Sequence, residues 1–211
     1  IDLTYRDATV SQISGRANYK LSPKIGIYGD VSWNQVDYRR QLVNPRDSSG
    51  FALLGGIRYQ VTTLIDLEGA VGYIRQNFDD PMTSDATGLN YQLKASWTPT
   101  PLWKFSASGQ RTVDPSPLSN VPAVIRSDFR LNVQRALSDK FFLQGTVSYV
   151  DEDFRGNARD DKRYSVNGGI LFRFSEHILA SVQAGYRKQD STLTGLNYEG
   201  ASAGFTLSLT L

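Results

Sequence analysis

Residues 126–148 read RSDFRLNVQRALSDKFFLQGTVS. Within this stretch the apolar side chains of Phe129, Leu131 and Val133 alternate with polar ones, and the alternation resumes beyond a polar turn at Ser138. Successive side chains of an extended strand point to opposite faces, so strict alternation indicates a strand with one apolar and one polar face. The stretch therefore predicts two antiparallel strands joined by a tight turn.

The same alternation extends over the chain and predicts eleven strands. They are Ala8–Leu21, Lys24–Tyr38, Phe51–Val61, Leu64–Phe78, Gly88–Thr98, Leu102–Val113, Ala123–Leu137, Lys140–Phe154, Lys162–Phe174, Ile178–Gln189 and Tyr198–Leu211. The connections between them alternate between short and long, and the long ones are rich in Pro, Gly, Asp, Asn and Ser. No long segment has an apolar period of 3.6 residues, so no helix is predicted. Short turns at one end and longer polar loops at the other are typical of an up-and-down transmembrane β-barrel with its short turns in the periplasm.

The two faces of these strands differ sharply in composition. On one face, the mid-strand positions of the predicted strands carry no charged residue and no Ser, Asn or Gln, although the chain is 21% charged. A soluble antiparallel sandwich would show the same alternation. However, Gly and Ala are too common on the apolar face to fill a sandwich core at native density. The composition therefore favours a barrel whose apolar face contacts lipid.

Aromatic residues near the strand ends support the barrel. The predicted lipid-interface aromatics are Trp97, Trp103 and Phe141 beside the short turns, and Tyr73, Tyr149 and Tyr186 beside the long loops, where Tyr38 and Phe154 also lie. Two belts of this kind mark the two water interfaces of a bilayer.

The number of strands needs one further step. Single-chain bacterial barrels have an even number of strands. Residues 1–7 resemble the loop-side ends of other strands, so we interpret them as the stub of a further strand and predict about twelve strands in a single barrel domain spanning residues 1–211. A strand needs roughly 9–11 residues to cross a membrane. The stub therefore leaves two alternatives: earlier residues are missing, or this is the C-terminal part of a larger barrel.

The layout resembles the Putative beta-barrel porin 2 family, outer-membrane proteins often associated with exopolysaccharide production and export. The resemblance rests on the Gly-rich segment Leu54–Tyr59, on Ser96–Thr100 and on the closing segment Asn197–Gly200. The final segment, Ser202–Leu211, is similar to the signal read by the barrel-assembly machinery, although Leu211 stands where a Phe is usual. The resemblance implies an outer-membrane protein that has this machinery as a partner during insertion.

Composition argues against several other classes of protein. The chain has 23 Lys and Arg against 21 Asp and Glu, a net charge of +2, which argues against a surface for nucleic acid. It contains no Cys, so thiolate metal sites and Cys nucleophiles are excluded. No run of about 18 apolar residues occurs that would form a transmembrane helix.

Candidate catalytic and metal-binding residues are few. The single His177 lies in a predicted turn beside Glu176, and a solvated turn residue explains it better than a general base. The carboxylates of Asp151–Asp153, with Asp160 and Asp161, form either a solvated acidic loop or a Ca²⁺ site, and their spacing matches no established calcium loop. We therefore predict no enzyme activity, no catalytic residue, no cofactor and no metal.

The polar face is predicted to line a water-filled lumen. The candidate pore-lining residues are Arg16, Asp30, Arg58, Asp66, Glu68, Lys94, Arg126, Asp128, Arg130, Arg173 and Arg187. With Lys20, Lys24 and Lys104 included, ten cations and four carboxylates face the lumen, which gives it a net charge of +6. Rings of Arg and Lys are typical of pores that conduct anions.

Two classes of function fit this pattern. The first is passage of small solutes or of an acidic exopolysaccharide through a net-positive lumen. The second is a plugged structural or docking barrel whose loops or rim bind a partner or the cell surface. The expected partners are outer-membrane lipid, a polysaccharide or its export machinery, and lipopolysaccharide, whose phosphates suit Arg39, Arg40 and Arg46 on one long loop.

Overall fold

The computed structural model describes residues 7–39, 45–116, 118 and 121–209. These residues form eleven strands: β1 (Ala8–Lys20), β2 (Ile25–Tyr38), β3 (Ser48–Thr62), β4 (Ile65–Phe78), β5 (Ala86–Thr100), β6 (Trp103–Pro115), β7 (Ala123–Ala136), β8 (Phe141–Phe154), β9 (Asp160–Arg173), β10 (Ile178–Ser191) and β11 (Tyr198–Leu209). In this part of the chain no helix is long and apolar enough to cross a membrane.

All strands belong to one antiparallel sheet in which sequence order is also spatial order, from β1 to β11. This confirms the predicted all-β, up-and-down architecture. All eleven predicted strands are found, and their ends differ from the predicted ends by at most three residues. The further strand predicted from residues 1–7 falls on a segment of which only Asp7 is among the described residues. Within the described ranges, β1 pairs with β2 and β11 with β10, and no pairing between β1 and β11 is found.

Two of the short turns are closed in the same way by a serine side chain. Ser22 Oγ accepts hydrogen bonds from the backbone N–H groups of Lys24 at 3.2 Å and Ile25 at 3.0 Å. Ser138 makes the same two bonds in the turn between β7 and β8. In this way a hydroxyl satisfies backbone donors where the chain reverses direction. The opposite ends of the strands carry the longer connections, residues 39–47, 79–85, 116–122, 155–159 and 192–197.

The strand registers assign each side chain to one of two faces. The polar face comprises the even-numbered residues of β1–β8 and β11 and the odd-numbered residues of β9 and β10; the remaining strand residues form the apolar face. Apolar-face side chains are highly exposed, for example Ile13 at 71% and Phe205 at 68%. Polar-face residues of β2 to β5 are mostly less exposed than their apolar-face neighbours, as expected when a sheet curves around its polar face.

Two rows of aromatic rings cross the apolar face. The loop-side row contains Phe51, Tyr73, Tyr91, Phe129, Tyr149, Tyr164 and Tyr186, and the turn-side row contains Trp97, Trp103, Phe105, Phe141 and Phe172. Neighbouring rings touch: the centroids of Trp97 and Phe105 are 5.0 Å apart, and those of Tyr149 and Tyr164 are 5.1 Å apart. All six predicted interface aromatics belong to these rows, and their contact with lipid stays a prediction.

We expect the two faces to respond differently to an added charge. Gly69→Arg or Leu131→Arg, on the apolar face, should lower the free energy of unfolding by about 2–4 kcal/mol because a guanidinium would enter the hydrocarbon region. Ser106→Arg and Gln183→Arg, on the polar face, are the matched controls and should cost much less. Reversible unfolding in lipid vesicles measures all four, and equal costs on the two faces would contradict the assignment.

Candidate functional site

The candidate site is the polar face, and all eleven predicted pore-lining residues lie on it. They are Arg16 on β1, Asp30 on β2, Arg58 on β3, Asp66 and Glu68 on β4, Lys94 on β5, Arg126, Asp128 and Arg130 on β7, Arg173 on β9 and Arg187 on β10. Seven of them belong to two ion-pair networks. That these residues line a pore stays a prediction.

The first network, which we call the central network, joins Arg16, Asp30, Arg58 and Glu68. Arg16 binds Asp30 with two hydrogen bonds, Nε to Oδ1 at 2.6 Å and Nη2 to Oδ2 at 2.7 Å. Arg58 donates to Glu68 Oε2 from Nη2 at 2.6 Å and from Nε at 3.1 Å. Arg16 Nη1 lies 3.4 Å from Glu68 Oε1, so a side chain on β1 reaches β4 across two intervening strands. Two cations and two carboxylates thus share one connected set of hydrogen bonds.

Small residues beside the central network make this reach feasible. The Arg16 guanidinium lies over the Tyr28 ring, 4.3 Å from its centroid, in a cation–π contact. Gly56 is the partner of Tyr28 on β3, and a Cβ at that position would overlap the Tyr28 ring. Ala70, next to Gly56 on β4, is also small. The Tyr28 ring can therefore lie across β3, where it packs against the Arg16 guanidinium.

The second network, the loop-side network, begins with three predicted residues on β7. Asp128 Oδ2 lies 3.4 Å from Arg126 Nη2 and 3.8 Å from Arg130 Nη2. Glu152 on β8 and Arg163 on β9 complete it, because Glu152 accepts a hydrogen bond from Arg163 and lies 3.9 Å from Arg126. Sequence reasoning missed Glu152 because it assigned the carboxylates after residue 150 to an acidic loop, and it left out Arg163 near the start of the ninth predicted strand. The alternation of β8 and β9, followed a few residues further, would have found both.

Four predicted residues lie outside these networks. Within the described parts of the chain, no salt bridge within 4.0 Å is found for Asp66, Lys94, Arg173 or Arg187. Arg173 instead lies over the Phe142 ring, 5.3 Å from its centroid. The charges of the three cations in this group are therefore not cancelled by direct contact with a carboxylate.

The loop-side end of the polar face corrects three predictions. Arg46, expected to meet lipopolysaccharide, is only 3% exposed; its Nη2 donates to Tyr38 Oη at 3.2 Å and to the backbone oxygen of Ser116 at 2.7 Å. A side chain so buried is not available to a lipid phosphate. Tyr38 and Phe154, expected at the lipid interface, are buried on the polar face. Large aromatic side chains occupy these two polar-face positions because residues of the long connections cover this end of the face. Arg40 lies outside the described residues.

The connection between β6 and β7 forms part of this cover. Leu118 and Val121 pack with Val124 and Phe154, and Val121 is fully buried. The hydrogen bond from Arg46 to Ser116 ties the connection between β2 and β3 to the same place, across 70 residues of sequence. Two long connections therefore meet at the loop-side end of the polar face.

Carboxylates of the predicted acidic loop are paired with arginine. Arg159 Nε donates to both oxygens of Asp161 at 3.0 Å. Burial by itself would raise the pKa of Asp161, but hydrogen bonds from Arg159 and Ser191 hold that pKa below its ordinary value. Burial and nearby carboxylates raise the pKa of Asp160, which lies at the loop-side end of β9, beyond the aromatic row at Tyr164. The described residues contain no group of three or more side chains suited to hold a metal ion.

We expect Glu68 to contribute most to the stability of the central network, because it contacts both Arg16 and Arg58. Glu68→Gln removes the charge that Arg16 and Arg58 share and leaves two guanidinium groups close together, so the free energy of unfolding should fall by about 1–3 kcal/mol. Asp66→Asn, on the same strand and face but without a salt bridge, is the matched control and should have little effect. Urea unfolding in vesicles gives both values, and equal losses would argue that the network contributes nothing specific.

Comparisons with known proteins agree with this geometry. The family model described as Putative beta-barrel porin 2 matches residues 1–211. No curated protein sequence matches the chain. Among solved structures, the FrpB iron transporter from Neisseria meningitidis (F3-3 variant) is similar with a TM-score of 0.69 and 12% identity, over 97% of this chain and 40% of the transporter.

Two further structures are similar at comparable identity. The F5-1 variant of the same transporter gives a TM-score of 0.66 at 11% identity, over 89% of this chain and 37% of that one. OmpT, an outer membrane protein of Vibrio cholerae, gives 0.41 at 12% identity, over 94% and 88% of the two chains. The chain thus spans about two fifths of the length of the FrpB transporters. At such identity the likeness to the FrpB transporters concerns the fold alone, and with the family match it places the chain among bacterial outer-membrane β-barrels.

Proposed function

This chain belongs to the Putative beta-barrel porin 2 family, and from that premise we propose that it forms the wall of a water-filled channel for hydrophilic solutes, with a preference for anions. The observation that carries the proposal is the polar face, which runs from the short turns to the long loops and holds both arginine networks. In a barrel whose apolar side meets lipid, such a face borders water. The channel acts by passage of solute and not by chemical conversion.

The balance of charge on the polar face supports the anion preference. The described strands carry ten cations there, namely Arg16, Lys20, Arg58, Lys94, Lys104, Arg126, Arg130, Arg163, Arg173 and Arg187, against seven carboxylates, Asp30, Asp66, Glu68, Asp114, Asp128, Glu152 and Asp161, a difference of +3. This is smaller than the predicted +6, because Lys24 lies in a turn and because one cation and three carboxylates join the count. A narrow channel of low dielectric concentrates such a field and attracts counter-ions.

A region of the polar face that is rich in carboxamides suits sugar hydroxyls. Six carboxamides, Gln12, Asn34, Gln76, Asn90, Gln92 and Gln110, line a cavity of about 480 Å³ on the polar face of β1 to β6. A carboxamide both donates and accepts hydrogen bonds, as a sugar hydroxyl does. The solutes that fit both features are small anions and, in keeping with the family resemblance, the strand of an acidic exopolysaccharide.

Conductance across a salt gradient tests the proposal. In planar bilayers the wild-type protein should give a reversal potential of the sign that anions produce. Arg187→Gln combined with Lys94→Gln removes two cations that lack a salt bridge, and should lower the ratio of anion to cation permeability by about twofold.

Lys188→Gln supplies the matched control for that experiment. Lys188 is adjacent to Arg187 but lies on the apolar face, 3.1 Å from Asp190, so its loss should leave selectivity unchanged. A cation-selective wild-type current, or equal effects of the two sets of variants, would refute the anion preference.

The covered loop-side end supports a second candidate, a barrel closed at this end that serves as a docking structure. The supporting observation is the hydrogen bond from Arg46 to Ser116, with Val121 fully buried against the polar face. If these connections close the channel, the wild-type protein should conduct weakly or not at all.

Arg46→Ala tests this second candidate. The change removes the hydrogen bonds to Tyr38 and Ser116 and should free the connection between β6 and β7, so single-channel conductance should rise. Arg39→Ala, an exposed arginine of the same connection, is the control. If Arg46→Ala and the wild type conduct equally, the covered end does not restrict passage.

A further inference from the structure

One cation lies on the apolar face close to the short turns. Arg135 pairs with Trp103 on β6 and Leu143 on β8, and therefore belongs to the apolar face. Between the short turns and the middle of the strands, it is the only charged side chain on that face among the described strand residues. A charge facing lipid is costly at the bilayer centre and tolerated near the interface. Its presence there calls for a partner in the membrane.

Arg135 has the setting of a headgroup contact. Its guanidinium lies over the Trp103 ring, 4.8 Å from the centroid, and the side chain is exposed. Trp103 belongs to the turn-side aromatic row, and tryptophan rings of such rows lie at the level of lipid headgroups. Arginine presents a planar set of donors that matches phosphate oxygens. The cation is therefore held at the depth where lipid phosphates lie.

An apolar groove begins beside Arg135. It has a volume of about 560 Å³ and is lined by Trp103, Val133, Arg135, Leu143, Gly145, Gly168, Ile170, Val182 and Ala184, among others. Gly145 and Gly168 are paired and form its floor, where an added Cβ would come no closer than 3.9 Å to any atom. The groove is thus open space between bulky aliphatic side chains.

The course of the groove leads away from the interface. Val133, Gly145, Gly168 and Ala184 form one row across β7 to β10. Val133 lies three residues from the end of β7 at Ala136, whereas Ala184 lies six residues from the start of β10 at Ile178, so the row runs from near the short turns toward the middle of the strands. This course matches that of an acyl chain whose headgroup stays at the turn side.

We propose that Arg135 and this groove form a binding site for a phospholipid, with the phosphate on the guanidinium and one acyl chain over Gly145 and Gly168. Charge complementarity selects the occupant, because an apolar partner alone would leave Arg135 without a counter-ion in a low dielectric. The site belongs to the lipid face and is independent of what the channel passes.

Native mass spectrometry of the purified protein in detergent tests the headgroup contact. The probes are dioleoyl phosphatidylglycerol and dioleoylglycerol, which has the same chains and no phosphate. Arg135→Gln should weaken binding of the phospholipid by about tenfold, the effect of one charge-assisted hydrogen-bonded contact. Arg173→Gln is the matched control, since Arg173 also lies over an aromatic ring near the short turns but on the polar face.

A second pair of variants tests the groove. Gly168→Leu should fill it and reduce retention of both probes, whereas Gly55→Leu adds the same side chain to an open apolar-face position on β3 and should change nothing. The heat-dependent shift on gels verifies that each variant is folded. If Arg135→Gln does not fold, the comparison of the two probes on the wild type and on Arg135→Lys replaces it.

The outcomes are decisive in both directions. Tighter binding of the phospholipid than of dioleoylglycerol, lost in Arg135→Gln and Gly168→Leu but kept in both controls, supports the site. Equal binding of the two probes means that Arg135 only extends toward water. Equal binding by Gly168→Leu and Gly55→Leu means that no chain occupies the groove. Either of these last two results overturns the proposal.

Discussion

The rest of the structure depends on one constraint, the hydrogen bonding of peptide groups where no water is present. In the hydrocarbon core of a bilayer an unpaired N–H or C=O group costs several kcal/mol, so backbone must satisfy backbone. In this chain each of β2 to β10 is bonded on both sides by its neighbours in sequence. Because the ladder uses the backbone of these nine strands on both edges, their side chains are left to serve two different solvents, one on each face.

This division explains why glycine serves a different purpose on each face. On the apolar face lipid fills any gap, so Gly55 or Gly145 leaves no void that a protein core would have to repair. On the polar face a different need arises, because long charged side chains must find partners across several strands. Gly56 and Ala70 provide the room through which Tyr28 supports Arg16. On neither face are these small residues needed to fill a core. On the polar face, Gly56 and Ala70 leave room for long side chains to extend across neighbouring strands.

The sequence predicts most of this fold because successive side chains of a strand point to opposite faces, whatever surrounds the strand. The alternation located all eleven strands and assigned every predicted pore-lining residue to the polar face. It failed at the loop-side ends, where Tyr38, Arg46 and Phe154 are buried by contacts with distant loops. Those contacts depend on how the connections fold over the sheet, and no local pattern encodes a hydrogen bond between Arg46 and Ser116. The role of the polar face as a pore stays a prediction.

The distribution of ion pairs along the chain has a consequence for assembly. Arg16 with Asp30, and Arg58 with Glu68, are each contained within one hairpin, so a hairpin carries its own counter-charges. Closing such short loops costs little entropy, and contacts between neighbours in sequence form quickly. A hairpin can therefore neutralise its charges before it meets the rest of the wall. Arg16 with Glu68, 52 residues apart, and Arg46 with Ser116, 70 residues apart, can form only once separate hairpins are side by side, which makes them the last contacts to form as the protein assembles.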